Sequence, residues 1–235
     1  MDNKNSYTYK KYLKHKSTIR TIEVAIGLFG LFLLSKLVLF KGSNLLIVIF
    51  LLAFAIKVID VILVDERRHN YLTWGRGAGA ELTVGRQLER LGPDYKIIND
   101  INSGRGNVDH VCIGPTGIFV IETKAHRGVV SYTNQILING KNLEKDYLAQ
   151  TQAEVRFVAD FLHERLGGTY SVQGILEFPY AKIDASIRGP KENVWIGGRG
   201  FANYVIKKGH SNLKPAELAA ISQVLQSLTT KSPKL

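Results

Sequence analysis

Residues Asn107 to Lys124 read N-V-D-H-V-C-I-G-P-T-G-I-F-V-I-E-T-K. Two apolar runs, Val108 to Ile113 and Ile118 to Thr123, flank the turn residues Gly114 to Gly117. Turn residues between β-branched, apolar runs predict a β-hairpin. Side chains at i and i+2 of a strand share a face. Glu122 and Lys124 therefore project together, with Thr123 on the other side. Asp109 lies on the paired strand, where the same face is open to it. Two carboxylates and an ammonium around one point can hold a divalent cation and act on a phosphodiester.

Across the 235 residues, Lys and Arg total 31 against 20 Asp and Glu, a net charge of +11. Such a balance points to an anionic partner, nucleic acid or a lipid surface, without choosing between them. Cys112 is the single cysteine, which excludes an intrachain disulfide and a C-x-x-C zinc site and suits a reducing compartment.

Working outward, residues 1–20 form a basic tail with Lys4, Lys10, Lys11, Lys14, Lys16 and Arg20. Two apolar stretches follow, Thr21 to Phe40 and Asn44 to Val64. Each has about the 20 residues that a helix needs to cross a bilayer. Only Lys41, Gly42 and Ser43 separate them, so 21–64 reads as a two-helix transmembrane hairpin in contact with lipid. Lys36 can snorkel to the interface, and Lys57 and Asp60 can pair on one helix face. Basic residues before the first span and Arg67 and Arg68 after the second place both termini in the cytoplasm, as in a two-span cell-membrane protein. The alternative is a pair of buried helices, against which all-round apolarity weighs. Residues 65–76 read as a juxtamembrane linker. Gly75, Gly77 and Gly79 do not make a dinucleotide loop, because no strand precedes them.

The remaining domain, 77–228, alternates helices and strands. Glu81 to Leu91 reads as a helix stopped by Gly92-Pro93, with Glu81 in its first turn. There an acid ordinarily compensates the helix dipole. Tyr95 to Ile101 predicts a strand, and Val129 to Ser131 and Gln135 to Ile138 two short ones. Lys145 to Leu166 has helical spacing, with Gln150 in its early turns. Strands follow within Val172 to Ile187 and at Val194 to Ile196, then helices at Phe201 to Lys208 and Pro215 to Leu228, and a disordered tail over 229–235. This order fits an α/β fold, a mixed sheet flanked by helices.

Acid-x-Lys occurs three times, at Asp2, Asp94 and Glu122. Only the third ends an apolar strand with an acid on the strand beside it. The bland alternative is a solvated surface ion pair worth about 0–1 kcal/mol. The chemistry of phosphodiester hydrolysis does need these residue types. Carboxylates supply hard oxygen ligands for Mg²⁺ or Mn²⁺, and a lysine orients or deprotonates water and neutralises developing charge.

Three pieces, G-A-G-A-E ending at Glu81, V-D-H-V at 108–111 and G-P-T-G-I-F-V-I-E-T-K at 114–124, resemble the nuclease-related domain (NERD), a branch of the PD-(D/E)xK nuclease superfamily. Gly128 and Gln150 extend the match. The resemblance implies a restriction-endonuclease-like αβββαβ core and metal-dependent cleavage of DNA or RNA, and of the two we expect DNA ahead of RNA. It implies that Asp109 and Glu122 bind metal, that Lys124 is the catalytic lysine, that Glu81 is a helix-borne acid binding metal directly or through water, and that Gln150 lines the site. Two positions depart from the pattern. Val108 replaces the superfamily's proline, and Asp146-Tyr147 stands where relatives tend to show Asn-Pro.

His110 and Cys112 alternate away from Asp109, toward packing. His126 and Arg127 lie just past Lys124, either on a substrate phosphate or at a solvated strand end. Trp195 and Tyr204 suit core packing better than base stacking. Two other readings stay open: a non-catalytic nucleic-acid-binding or signalling module on the same fold, and a basic surface that serves anionic lipid.

Overall fold

The computed structural model describes residues 7–37, 53, 71–187, 189–211 and 213–229. Two compact units divide the chain, one of Thr8–Arg76 and one of Gly77–Leu235 with Met1–Tyr7.

In the unit Thr8–Arg76, helix α1 (Tyr7–Leu37) runs through the basic segment into the first apolar stretch. Tyr12 stacks on Tyr71, with ring centroids 4.9 Å apart, and the two hydroxyls share a hydrogen bond of 3.0 Å. Lys11 Nζ lies 4.5 Å from the centre of the Trp74 ring. Among the described residues no helix is long and apolar enough to cross a membrane. The transmembrane hairpin expected over 21–64 is therefore not supported. Within α1, Glu23 and Lys36 fall in the first apolar stretch, and its residues 38–40 lie outside the described ones. The second stretch, 44–64, lies outside the described residues apart from Ala53. The linker expected over 65–76 is helical where it is described, from Tyr71 onward.

Helix α2 covers 71–88 and ends in a 3₁₀ turn, Glu89–Leu91. It is already helical ten residues before the helix expected at Glu81, through Gly75, Gly77 and Gly79. The strands that follow are β1 (Lys96–Asn102), β2 (Asn107–Gly114), β3 (Gly117–Thr123), β4 (Gly128–Tyr132), β5 (Ile136–Ile138) and β6 (Lys141–Asn142). Helix α3 (Tyr147–Leu166) comes next, then β7 (Val172–Phe178), β8 (Ala181–Ile183), β9 (Val194–Gly198), α4 (Phe201–Lys208) and α5 (Pro215–Gln226). Of the tail expected from 229, only Thr229 is described, and it bridges Ile101.

The main sheet has five strands in the order β1-β2-β3-β7-β9, and a second has four in the order β6-β5-β4-β8. The first three strands of the main sheet are antiparallel neighbours. The β3–β7 and β7–β9 pairs are parallel. A parallel pair needs a crossover, which α3 supplies between β3 and β7. The fold is thus a mixed sheet flanked by helices, with the order αβββαβ running from α2 to β7 once the small-sheet strands are set aside.

Strand alternation sorts the core. Val111, Ile113, Ile118 and Val120 pack with Val158 and Leu162 of α3 and Ile221 and Leu225 of α5. Cys112, Phe119 and Ile121 face the other way, onto Val84 and Leu88 of α2 and Val205 of α4. Glu122 shares parity with the first set and points to the α3 side, where it meets Gln150, and Asp109 lies one step past the His110–Ile121 pair, beside it.

Gly197 shows how closely α4 sits on β9. A Cβ there would lie 1.9 Å from Cδ1 and 2.3 Å from Cβ of Phe201. Because the Phe201 Cβ is fixed to the backbone, the ring cannot simply swing aside. Gly197→Ala is expected to destabilise by about 1–3 kcal/mol, as overpacking does, which lowers Tm by about 2–4 °C per kcal/mol for a chain this size. Thermal unfolding by circular dichroism checks this.

Candidate active site

The site begins where the β2–β3 ladder ends. Its last inner pair is His110 with Ile121. One step further, the Thr123 amide donates not to a main-chain carbonyl but to Asp109 Oδ2, at 2.9 Å. On the other side, the Lys124 amide donates to the Glu177 carbonyl at 2.9 Å and carries the β3–β7 pairing onward. The end of β3 is therefore held from both flanks while its side chains face α3. In β1, Asp100 falls between the pairs Asn99–His110 and Ile101–Val108, opposite Asp109. Its φ of 55° is left-handed, a conformation uncommon for a non-glycine residue.

Glu122 is buried, 3% exposed. Lys124 Nζ donates a short hydrogen bond to Glu122 Oε1 and another, of 3.0 Å, to Gln150 Oε1. The Gln150 amide turns its nitrogen to two carboxylates, Glu122 Oε1 at 2.8 Å and Glu154 Oε1 at 2.9 Å. Its oxygen can then only accept, and Lys124 supplies the proton. Gln150 is thus locked as a bridge between Lys124 and two acids.

Gln150 is in reach because of how α3 starts. Asp146 is its N-cap, accepting from the Ala149 amide at 3.0 Å, a role that suits aspartate. Tyr147, the next residue, presents its ring 4.5 Å from Lys124 Nζ. Its hydroxyl shares a 2.8 Å hydrogen bond with His126 Nε2. The Asp146-Tyr147 departure from the family pattern therefore leaves Gln150 at the site and adds an aromatic wall to it. His126 is engaged in that wall, and Arg127 is exposed.

Glu81 arrives from the opposite side of the sheet, on α2, and is buried. It reaches the group through charge, adding to the repulsion felt by Asp109. The structure thus brings Glu122, Lys124 and Gln150 into direct contact, fixes Asp109 beside them, and sets Glu81 within electrostatic range.

Electrostatics follow from burial of like charges. Asp109 is held well above the usual aspartate range by desolvation, then by Glu122 and Glu81, and the Thr123 amide and Lys124 pull the other way. For Lys124, desolvation lowers the pKa, but attraction to and hydrogen bonding with Glu122, with help from Asp109, outweighs it and the net shift is upward. The ammonium therefore stays charged at neutral pH. Burial lowers His110 to about 4, against a hydrogen bond with the Glu81 main chain. Its Nδ1 lies 2.7 Å from Asn99 Oδ1. Burial pushes the Cys112 thiol up to about 12, which leaves it unreactive.

Glu154 is the residue that sequence reading missed. It is 9% exposed, and desolvation followed by repulsion from Glu122 raises its pKa to about 8. Between the free glutamate value and that one, the folded state holds a proton that the unfolded state has lost. Stability therefore falls as pH rises from about 4.5 to about 8. Glu154→Gln keeps the size of the side chain and an oxygen to accept from Gln150. In EDTA the variant is expected to lose less Tm than the parent between pH 6 and pH 9, by several degrees. A pH series of thermal melts on both chains checks this, and parallel curves would sink it.

A divalent cation fits this donor set chemically. Glu122 Oε2 and Glu154 Oε2 are buried without a hydrogen-bond partner, which is costly unless something else is there to satisfy them. The donors are hard carboxylate oxygens, the class that Mg²⁺ and Mn²⁺ prefer. Among the described residues, no group of three His, Cys, Asp or Glu side chains is already arranged around one point to hold a metal.

Glu177 is a further buried acid with a different task. Its carboxylate accepts from the amides of Gly200, at 2.9 Å, and Ala202, at 3.2 Å, and so caps α4. Burial raises it to about 7 against those two hydrogen bonds. Trp195 packs in the core beneath α4, whereas Tyr204 is 57% exposed.

Comparison with curated proteins and with solved structures returns no match. Residues 76–179, which include Glu81, Asp109, Glu122, Lys124 and Gln150, match the family model of NERD, the nuclease-related domain.

Proposed function

We propose that the chain is a metal-dependent nuclease that hydrolyses phosphodiester bonds of DNA. A nuclease-related domain suggests a nuclease-like activity and nucleic acid as partner. The observation that carries the finer reading is the lock at the end of β3, with Lys124 Nζ between Glu122 Oε1 and Gln150 Oε1, beside Asp109. Asp109 and Glu122 would hold Mg²⁺ or Mn²⁺, with Glu81 as an outer acid. When bound, the ion supplies a water of lowered pKa and neutralisation of phosphate charge. Lys124 donates a hydrogen bond to a phosphate oxygen and neutralises its developing charge, and its raised pKa fits it for that rather than for proton abstraction. Gln150 keeps Lys124 in line, and Asp146 and Tyr147 keep Gln150 in place.

The test is direct. The purified full chain is incubated with plasmid, single-stranded DNA and RNA in Mg²⁺, Mn²⁺ or EDTA. Cutting that needs the metal, with DNA cut faster than RNA, is the expected result. A folded chain that cuts none of them in any metal would favour the non-catalytic binding module.

The same reading holds the enzyme at a cell membrane through its apolar segment, with both termini in the cytoplasm. Its support is the apolarity of 21–40 and 44–64 with basic flanks, and the exposure of Val24, Leu28, Phe29 and Phe32 on α1. Sedimentation of the expressed chain with membranes, resistant to high salt, is expected; recovery in the soluble fraction would overturn it.

A further inference from the structure

A cleft of about 790 Å³ opens between the β1–β2 loop and α3, and Gln150 and Glu154 stand at one end of it. That end joins the candidate active site, because Gln150 bridges Glu122 and Lys124. Arg105 lies on the loop wall, Lys145 just before α3 and Arg156 on it. All three are exposed. Among the described residues, none of their side chains has an ion pair, a hydrogen bond or a ring contact. Asp160 also lies on the rim but pairs with none of them. The loop is pre-formed: the Ser103 amide and hydroxyl both donate to the Gly106 carbonyl, at 2.9 and 2.8 Å. The Gly104 amide donates to Asn102 Oδ1 at 2.8 Å. Arg105 is thus presented on a closed turn. On the facing helix, the half-buried Phe157 ring stacks on Phe161, with centroids 6.1 Å apart.

We propose that this cleft is the channel for a single nucleic-acid strand. Its phosphates meet Arg105, Lys145 and Arg156, one of its bases stacks on Phe157, and its backbone runs on toward Gln150. Uncompensated cations along a groove track a phosphate backbone, and an aromatic ring in the wall takes any unpaired base. A base inside a duplex has both faces stacked on its neighbours and cannot use that ring. The proposal rests on the nuclease reading for what happens at the Gln150 end, whereas binding in the cleft does not depend on cutting.

The test uses the full chain in EDTA, with fluorescent single-stranded DNA, single-stranded RNA and duplex DNA titrated over a range of salt. The parent is expected to bind single strands more tightly than duplex. Arg105→Ala with Arg156→Ala should weaken that binding by about tenfold or more. It should also flatten the log–log salt slope by about 1.4, since each single-strand phosphate contact contributes about 0.7. Arg156→Lys should retain most of the affinity, and Phe157→Leu should weaken single-strand binding while leaving duplex binding unchanged. Unaltered binding by the double variant, no binding by the parent, or tighter binding of duplex overturns the proposal. A parent that binds strands through these arginines yet never cuts with metal retires the nuclease reading alone. A parent that cuts while the double variant binds normally retires the channel alone.

Discussion

Lys124→Ala is expected to slow metal-dependent cleavage by about a hundredfold to a thousandfold, the usual cost of removing one donor that stabilises developing charge. Single-strand binding in EDTA should change little, because Lys124 does not itself line the cleft. The variant should also be less stable. Its loss leaves Glu122, 3% exposed, without its cation, and breaking a buried pair from one side costs about 3–5 kcal/mol. With the Lys124 side chain itself 17% exposed, the lower end of that range applies. Rates are therefore compared at a temperature where circular dichroism reports both chains folded. A variant that cuts within about threefold of the parent would remove Lys124 from the chemistry.

The parts of this site that are legible in sequence are those whose local signals agree with the fold. The β2–β3 hairpin is one: turn residues, β-branched runs and strand parity all point the same way, and parity places Glu122 and Lys124 on one face, while the register that brings Asp109 beside them comes only with the fold. Asp146 is legible in hindsight as an N-cap, since aspartate suits that position whether or not a relative has asparagine there. Glu154 was legible but unread. It lies three residues after Thr151 and four before Val158, so it interrupts the buried stripe of α3. An acid in such a stripe is seldom buried without a reason. That the chain is already helical at Tyr71 was not legible. Three alternate glycines lower helix propensity, yet the helix persists there because small residues admit close neighbours. A Cβ on Gly75 would meet the Tyr12 ring at 3.1 Å, and one on Gly79 the Tyr180 hydroxyl at 3.2 Å. The cleft was not legible either, because Arg105 and Arg156 meet only when the β1–β2 loop is set against α3.

Asp109→Asn is expected to slow cleavage as much as the lysine variant, by about a hundredfold to a thousandfold, while moving stability the other way. The amide oxygen of asparagine can still accept from the Thr123 amide, so the splice between β2 and β3 survives. What disappears is a carboxylate whose charge is disfavoured by burial, by Glu122 and by Glu81. A carboxyl with a raised folded pKa weakens the fold as pH climbs above its free value, because the folded form keeps a proton that the unfolded form releases. At pH 8 in EDTA the variant should therefore melt above the parent, by about 2–4 °C for each kcal/mol of repulsion removed. Adding Mg²⁺ should reverse the order. A bound ion stabilises the parent by about 2.7 kcal/mol at a hundred times its dissociation constant, and the variant, lacking a ligand, should gain little. Two inactive variants with opposite stability shifts separate the roles that the geometry gives them: Lys124 offsets the buried carboxylate charge when no metal is bound, and Asp109 contributes to it so that a cation is bound. If Asp109→Asn melts below the parent without metal, or responds to Mg²⁺ as the parent does, Asp109 is a structural acceptor for the Thr123 amide and the metal reading loses its first ligand.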